Sequence, residues 1–157
     1  MRRIFVSIAL CLAVAACSGG NSTSLSTSQA DTPAVLGSSG GGKLNAIRAA
    51  AGQAAVRRNA VLDAAALGHA QDMARNGFFD HKGSNGSTVG KRVKRAGYRW
   101  CTVAENISKG YSSRDAAFES WRKSAPHYRN MTKRKVTDFG LAKAGDYWVL
   151  VLAAKRC

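Results

Sequence analysis

Apolar and polar positions along the chain fall into three regimes: an apolar block, a stretch without periodicity, and a long region of helical and strand-like patterns. The block covers residues 4–16, carries no charge and follows Arg2 and Arg3. It is shorter than the roughly 20 residues that a spanning helix needs, and it ends in small residues, which is the order of a secretory signal peptide. Residues 18–42 are rich in Ser, Thr and Gly, bury too little apolar surface to order themselves, and read as a flexible tether. From Lys43 onward the pattern changes. Leu44, Ile47, Ala51 and Ala54 predict a helix from 44 to about 58. Leu62, Ala65, Ala66, His69 and Met73 predict a second, with Asp63 suiting its start and Asn76-Gly77 its stop. Residues 83–87 read as a loop, 88–96 as a short helix ended by Gly97, and 100–107 as an extended segment closed by Gly110. Ser113 caps a further helix to about Ser124, and Pro126 prevents its simple continuation. Residues 136–143 and 147–154 are strand-like and joined by a tight turn at Ala144-Gly145-Asp146. Helices followed by a hairpin imply one α+β layered domain. The expected organisation is a signal peptide over 1–16, a linker over 17–42 and a globular domain over 43–157.

The cysteines refine this picture. Val14-Ala15-Ala16-Cys17 resembles the lipobox of bacterial lipoproteins, in which the signal is cut before the cysteine and the thiol is acylated. An ordinary signal peptide with an incidental cysteine is the alternative. Several acyl chains hold far better than a single myristoyl group, so lipidation at Cys17 would keep the domain on a membrane, about 25–30 Å away on its tether. Ser18 after that cysteine implies the outer membrane in bacteria that have two. Cys11 leaves with the signal. Cys101 and Cys157 then form an even pair outside the cytoplasm, where a disulfide is the natural state and two free thiols the alternative. The crosslink would stabilise the fold by about 4 kcal/mol in the chain-entropy model.

Charge narrows the partners. The chain has 24 Lys and Arg against 9 Asp and Glu, a net +15, reduced by two when Arg2 and Arg3 leave. An exported basic protein rarely meets nucleic acid, so the expected partners are the anchoring membrane, anionic lipid, lipopolysaccharide or peptidoglycan. A solvated surface that only maintains solubility is the alternative. Two segments are densely basic: Lys91, Arg92, Lys94, Arg95 and Arg99, and then Arg129, Lys133, Arg134 and Lys135. The domain is expected to act as a monomer.

Few polar residues call for a chemical explanation. Glu105 lies among apolar neighbours in Val103-Ala104-Glu105-Asn106-Ile107, and a carboxylate there needs a partner such as histidine. His81 follows a helix end. Ala117, Trp121 and Ser124 share a helix face, with His127 three residues on, while Glu119 points elsewhere and reads as solvated. His69, on the apolar face of the second helix, reads as a hydrogen-bonded core residue, and Met73, Trp100 and Trp148 read as core.

Several patterns, in this order, resemble the bacterial branch of the CAP superfamily of cysteine-rich secretory, venom-allergen and pathogenesis-related proteins. They are Leu44-Asn45 through Arg48, the Ala70 to Ala74 helix, Phe79-Asp80-His81, Ala104-Glu105-Asn106-Ile107, Trp121-x-x-Ser124-x-x-His127 and Tyr147-Trp148-Val149. The resemblance covers residues 43–157 and implies a three-layer α-β-α sandwich. It also implies a cleft lined by His81, Glu105 and His127, with Ser124 where many members carry a second acid. Such clefts often bind lipids or sterols or act through protein contacts, so the resemblance implies a binding module at the envelope. His81 and His127 with Glu105 supply the ligand types of an open Zn2+ site, against a metal-free hydrogen-bonded cluster. Ser124, a histidine and Glu105 contain the residue types of a hydrolytic triad, but no G-x-S-x-G elbow is present. A hydrolase, metal-dependent or serine-based, is therefore the alternative function.

Overall fold

The computed structural model describes residues 34–35 and 41–157. The expected signal peptide and the expected lipidation site, Cys17, lie outside the described residues. In chain order the elements are β1 (Ala34–Val35), α1 (Gly41–Ala50), β2 (Arg57–Arg58), α2 (Ala60–Asn76), α3 (Val89–Arg95), β3 (Thr102–Lys109), α4 (Arg114–Lys123), α5 (Ala125–Met131), β4 (Asp138–Ala144) and β5 (Tyr147–Ala154). Helix α1 begins two residues before the expected domain start. Ala34–Val35, within the expected tether, pairs with Lys143 and Ala142 of β4.

The sheet is ordered β1-β4-β5-β3, with β2 pairing in parallel with β4 on the same side as β1. The hairpin β4–β5 turns where predicted, with Ala144 opposite Tyr147. Alternation along β5 sets the layers. Trp148, Leu150 and Leu152 pack with Leu44, Phe118, Trp121 and Met131 of α1, α4 and α5 on one face. Val149, Val151 and Ala153 pack with Leu62, Ala66, Ala70 and Met73 of α2 on the other. This is the expected α+β fold, a three-layer α-β-α sandwich.

Two predicted boundaries move for identifiable reasons. The first helix stops at Ala50, not near 58, because Gly52 takes the left-handed conformation at φ 67°. The carbonyls of Arg48 and Ala49 then accept from Gln53 and Gly52. Pro126, expected only to end a helix, stands in the first turn of α5, where its missing N–H costs nothing. Ser124 is the break itself, with extended backbone between α4 and α5.

The residues of the first family-like motif turn out to be fasteners. The Asn45 side chain exchanges two hydrogen bonds with the Val56 backbone, at 2.9 and 3.1 Å. Arg48 is fully buried and donates to the carbonyls of Ala54, Met131 and Lys133, tying α1 to the end of α5. Burial lowers its affinity for the proton. Cys101 and Cys157 form the expected disulfide, with Cα atoms 5.8 Å apart.

Candidate functional site

Among the described residues strand β3 is the edge of the sheet beyond β5, and side chains rather than another strand close its outer side. Trp121 Nε1 donates to the Ile107 carbonyl at 3.1 Å, and Asn130 Nδ2 donates to that of Glu105 at 3.2 Å. Asn106 Nδ2 donates to the His127 carbonyl, and its own oxygen accepts from Asn130. The motif residues around β3 thus hold α4 and α5 against the edge, and a cavity opens alongside.

Glu105 is 5% exposed and needs compensation that β3 alone cannot supply. It receives two partners. Arg92 Nη2 donates to Oε2 at 2.8 Å and Oε1 at 3.0 Å, while Nη1 donates to the carbonyls of Ser87 and His81. His81 Nδ1 donates to Oε1 at 2.8 Å, leaving its ring half in solvent. The bond to Glu105 holds His81 above the ordinary imidazole value, against partial burial.

On the other side of the edge, His127 Nδ1 and Ser124 Oγ share a hydrogen bond of 2.9 Å. Burial, and then the charge on His81, push His127 below the ordinary value. Both residues line a cavity of about 340 Å³ whose apolar wall is Phe79, Ile107, Tyr111 and Trp121. Its polar lining includes Ser108, whose buried Oγ has no hydrogen-bond partner among the described residues, and Lys109.

The four expected cleft residues therefore form two pairs, His81–Glu105 and Ser124–His127, coupled through the His81 charge. Neither of the two alternative chemistries is assembled by this geometry. Both Glu105 oxygens are engaged by Arg92 and His81, and among the described residues no group of three or more His, Cys, Asp or Glu is arranged to hold a metal ion. The Zn2+ reading with His81, His127 and Glu105 does not fit this donor set. The triad fails as well. Glu105 orients His81 rather than His127, and Ser124 meets the Nδ1 that an orienting acid would need.

The remaining singled-out residues divide between core and surface. His69 is fully buried, as expected, with Nε2 donating to the Asp80 carbonyl at 2.9 Å and lying 3.9 Å from Glu105. Burial holds it below the ordinary imidazole value, in spite of Glu105. Met73 and Trp148 are core. Glu119 pairs with Arg122 at the surface, and that hydrogen bond holds it at about 2. Trp100 is not core; it is 41% exposed, because its indole lies outside α3 rather than under it. Arg92 is not part of a surface basic segment, since it turns inward to Glu105. Its sequence position among four other cations conceals this role, and the one available hint was the unbalanced carboxylate at 105. Asn130 and Ser108 carry no sequence signal that separates them from surface polar residues.

Residues 42–151 match the family described as "CAP: Cysteine-rich secretory protein family". The chain belongs to the CAP family. Two Bacillus subtilis proteins are similar at 26% identity: the uncharacterized protein YkwD, over 66% of this chain and 41% of that protein, and the uncharacterized membrane protein YlbC, over 66% and 30%. The chain thus spans less than half the length of these relatives. Among solved structures, an extracellular protein containing a SCP domain from Bacillus anthracis superposes with a TM-score of 0.69 at 25% identity, over 71% of this chain and 38% of that one. An outer surface protein from Borrelia burgdorferi gives 0.66 at 15% identity, over 73% and 88%, and supports the fold alone. In this CAP domain the cleft is a sheet-edge cavity with an arginine-neutralised glutamate behind it.

Proposed function

We propose that this CAP domain is an exported binding module of the cell envelope, tethered through a lipidated Cys17, whose cleft takes a ligand with an apolar body and a polar or anionic end. The observation that carries this reading is the cavity itself. Its lining combines aromatic and aliphatic side chains with Ser108, Lys109, Ser124 and His127. Apolar pockets with a few placed polar groups are the usual form of small-ligand sites. The formal charges nearby sum towards positive, because Arg92 offsets Glu105 and His81 keeps its proton to higher pH. Structural relatives described as an extracellular protein and as an outer surface protein support export. The order of residues 1–17 supports both export and the anchor. No nucleophile–base–acid relay is assembled among the described residues, so binding rather than hydrolysis is the activity favoured.

Equilibrium binding of labelled palmitate to the purified protein tests this. It should bind saturably, one per chain, and Phe79→Ala and His127→Ala should each weaken it by about tenfold, equivalent to about 1.4 kcal/mol. Absence of saturable binding, or variants that bind palmitate as tightly as the unaltered protein, overturns the assignment.

A further inference from the structure

A second concavity lies well away in sequence from Ser124 and His127, between α3 and the segment entering β3. Trp100 lines it. The indole Nε1 donates to the Gly90 carbonyl at 3.0 Å. The ring edge lies so close to α3 that a Cβ built on Gly90 would sit 2.6 Å from Trp100 Cζ2. Next along the chain, Cys101 is fixed twice, by the disulfide to Cys157 and by its N–H to the Ala154 carbonyl at 2.8 Å. A 41%-exposed tryptophan is thereby held at one indole edge and through the anchored backbone that follows it.

The charges around it are one-sided. The cavity, about 600 Å³, is lined by Thr88, Gly90, Lys91, Lys94, Arg99 and Trp100, with no carboxylate among them. Among the described residues, Lys91, Lys94 and Arg99 each lack an ion-pair partner, in contrast to Arg92 on the same helix. Uncompensated cations clustered within one concavity repel one another unless an anion joins them. Arginine forks and lysine ammonium groups together suit phosphate oxygens, and an indole face suits an apolar or sugar body attached to that phosphate.

We propose that this α3–Trp100 pocket is a second binding site, distinct from the His81–His127 cleft, that takes a phosphate ester with its attached body lying on the indole. An anionic phospholipid headgroup and a soluble phosphorylated glycerol or sugar share this chemistry, and the experiment separates them.

Trp100 is its own reporter, since Trp121 and Trp148 are 1% and 2% exposed. The full chain is titrated with phosphatidylglycerol vesicles, with phosphatidylcholine vesicles and with glycerol 3-phosphate, while the emission maximum and acrylamide quenching are followed. The expected result is a blue shift and protection from quenching with phosphatidylglycerol, glycerol 3-phosphate or both, and neither effect with phosphatidylcholine. Response to vesicles only assigns a lipid headgroup; response to glycerol 3-phosphate as well shows that the phosphate suffices. The combined variant Lys91→Gln, Lys94→Gln, Arg99→Gln should weaken the apparent affinity by at least about tenfold, since each cation near an anionic surface contributes measurably. His127→Ala should leave it unchanged, so failure here is separable from failure of the cleft reading. No response in either phosphate arm, an equal response to phosphatidylcholine, or undiminished binding by the charge variant overturns the proposal.

Discussion

Glu105 is the residue on which the site's chemistry turns. In a strand interior its charge is sustainable only because Arg92 and His81 reach it, and each partner does something different. Arg92, itself 9% exposed, is the structural counter-ion; His81, half exposed, is the group the carboxylate tunes. Removing the first strands a buried charge. Arg92→Met should therefore destabilise the fold by about 3–5 kcal/mol in urea denaturation, far more than loss of a surface arginine; a loss below about 1 kcal/mol would show that water already solvates Glu105. The histidines carry opposite signs in their effect on stability. His81, raised in the folded state, contributes below the unfolded imidazole value and loses that contribution as pH rises through the folded one. His69 and His127, lowered, contribute above the unfolded value and lose it as pH falls through their folded ones.

At the scale of elements, the tightest fit is between α2 and β4. A Cβ on Gly140 would come within 2.1 Å of the Leu62 backbone carbon, so β4 must carry glycine where the helix crosses it. Gly140→Ala should cost about 3 kcal/mol or more in denaturant, because helix backbone cannot yield as a side-chain tip does. Gly68 on α2 faces open space, and Gly68→Ala should instead stabilise by roughly 0.5–1 kcal/mol. Equal effects of the two would contradict the packing. Element types were legible wherever periodicity or a cap spoke locally: α2 with its Asn76-Gly77 stop, the Ser113 cap, and the hairpin. Helix α5 was not, because Pro126 signals the start of one helix as readily as the end of another. The two-residue strand β2 was hidden too, since parallel pairing of Arg57 and Arg58 with β4 is decided by tertiary contact and not by alternation.

For the whole molecule, the fold and the four side chains that gather about the β3 edge were legible from motifs with their own spacing, and the disulfide from the even pair that Cys101 and Cys157 leave outside the cytoplasm. Nothing local could show that an edge strand draws its cleft from both faces of the sheet, nor that one cation of a basic run turns inward. Glu105 faces the α2 layer and Asn106 the α4–α5 layer, so His81 and His127 approach the β3 edge from opposite sides. Their charges meet only there. The central claim is that this arrangement keeps His81 protonated and His127 neutral across the same pH range. The chain has three histidines, and their imidazole signals in an NMR pH titration read this directly. His81 should titrate above 6.5, His127 and His69 below it, and Glu105→Gln should bring His81 down. Three histidines titrating together near 6.5, or a His81 midpoint indifferent to Glu105→Gln, would contradict the account.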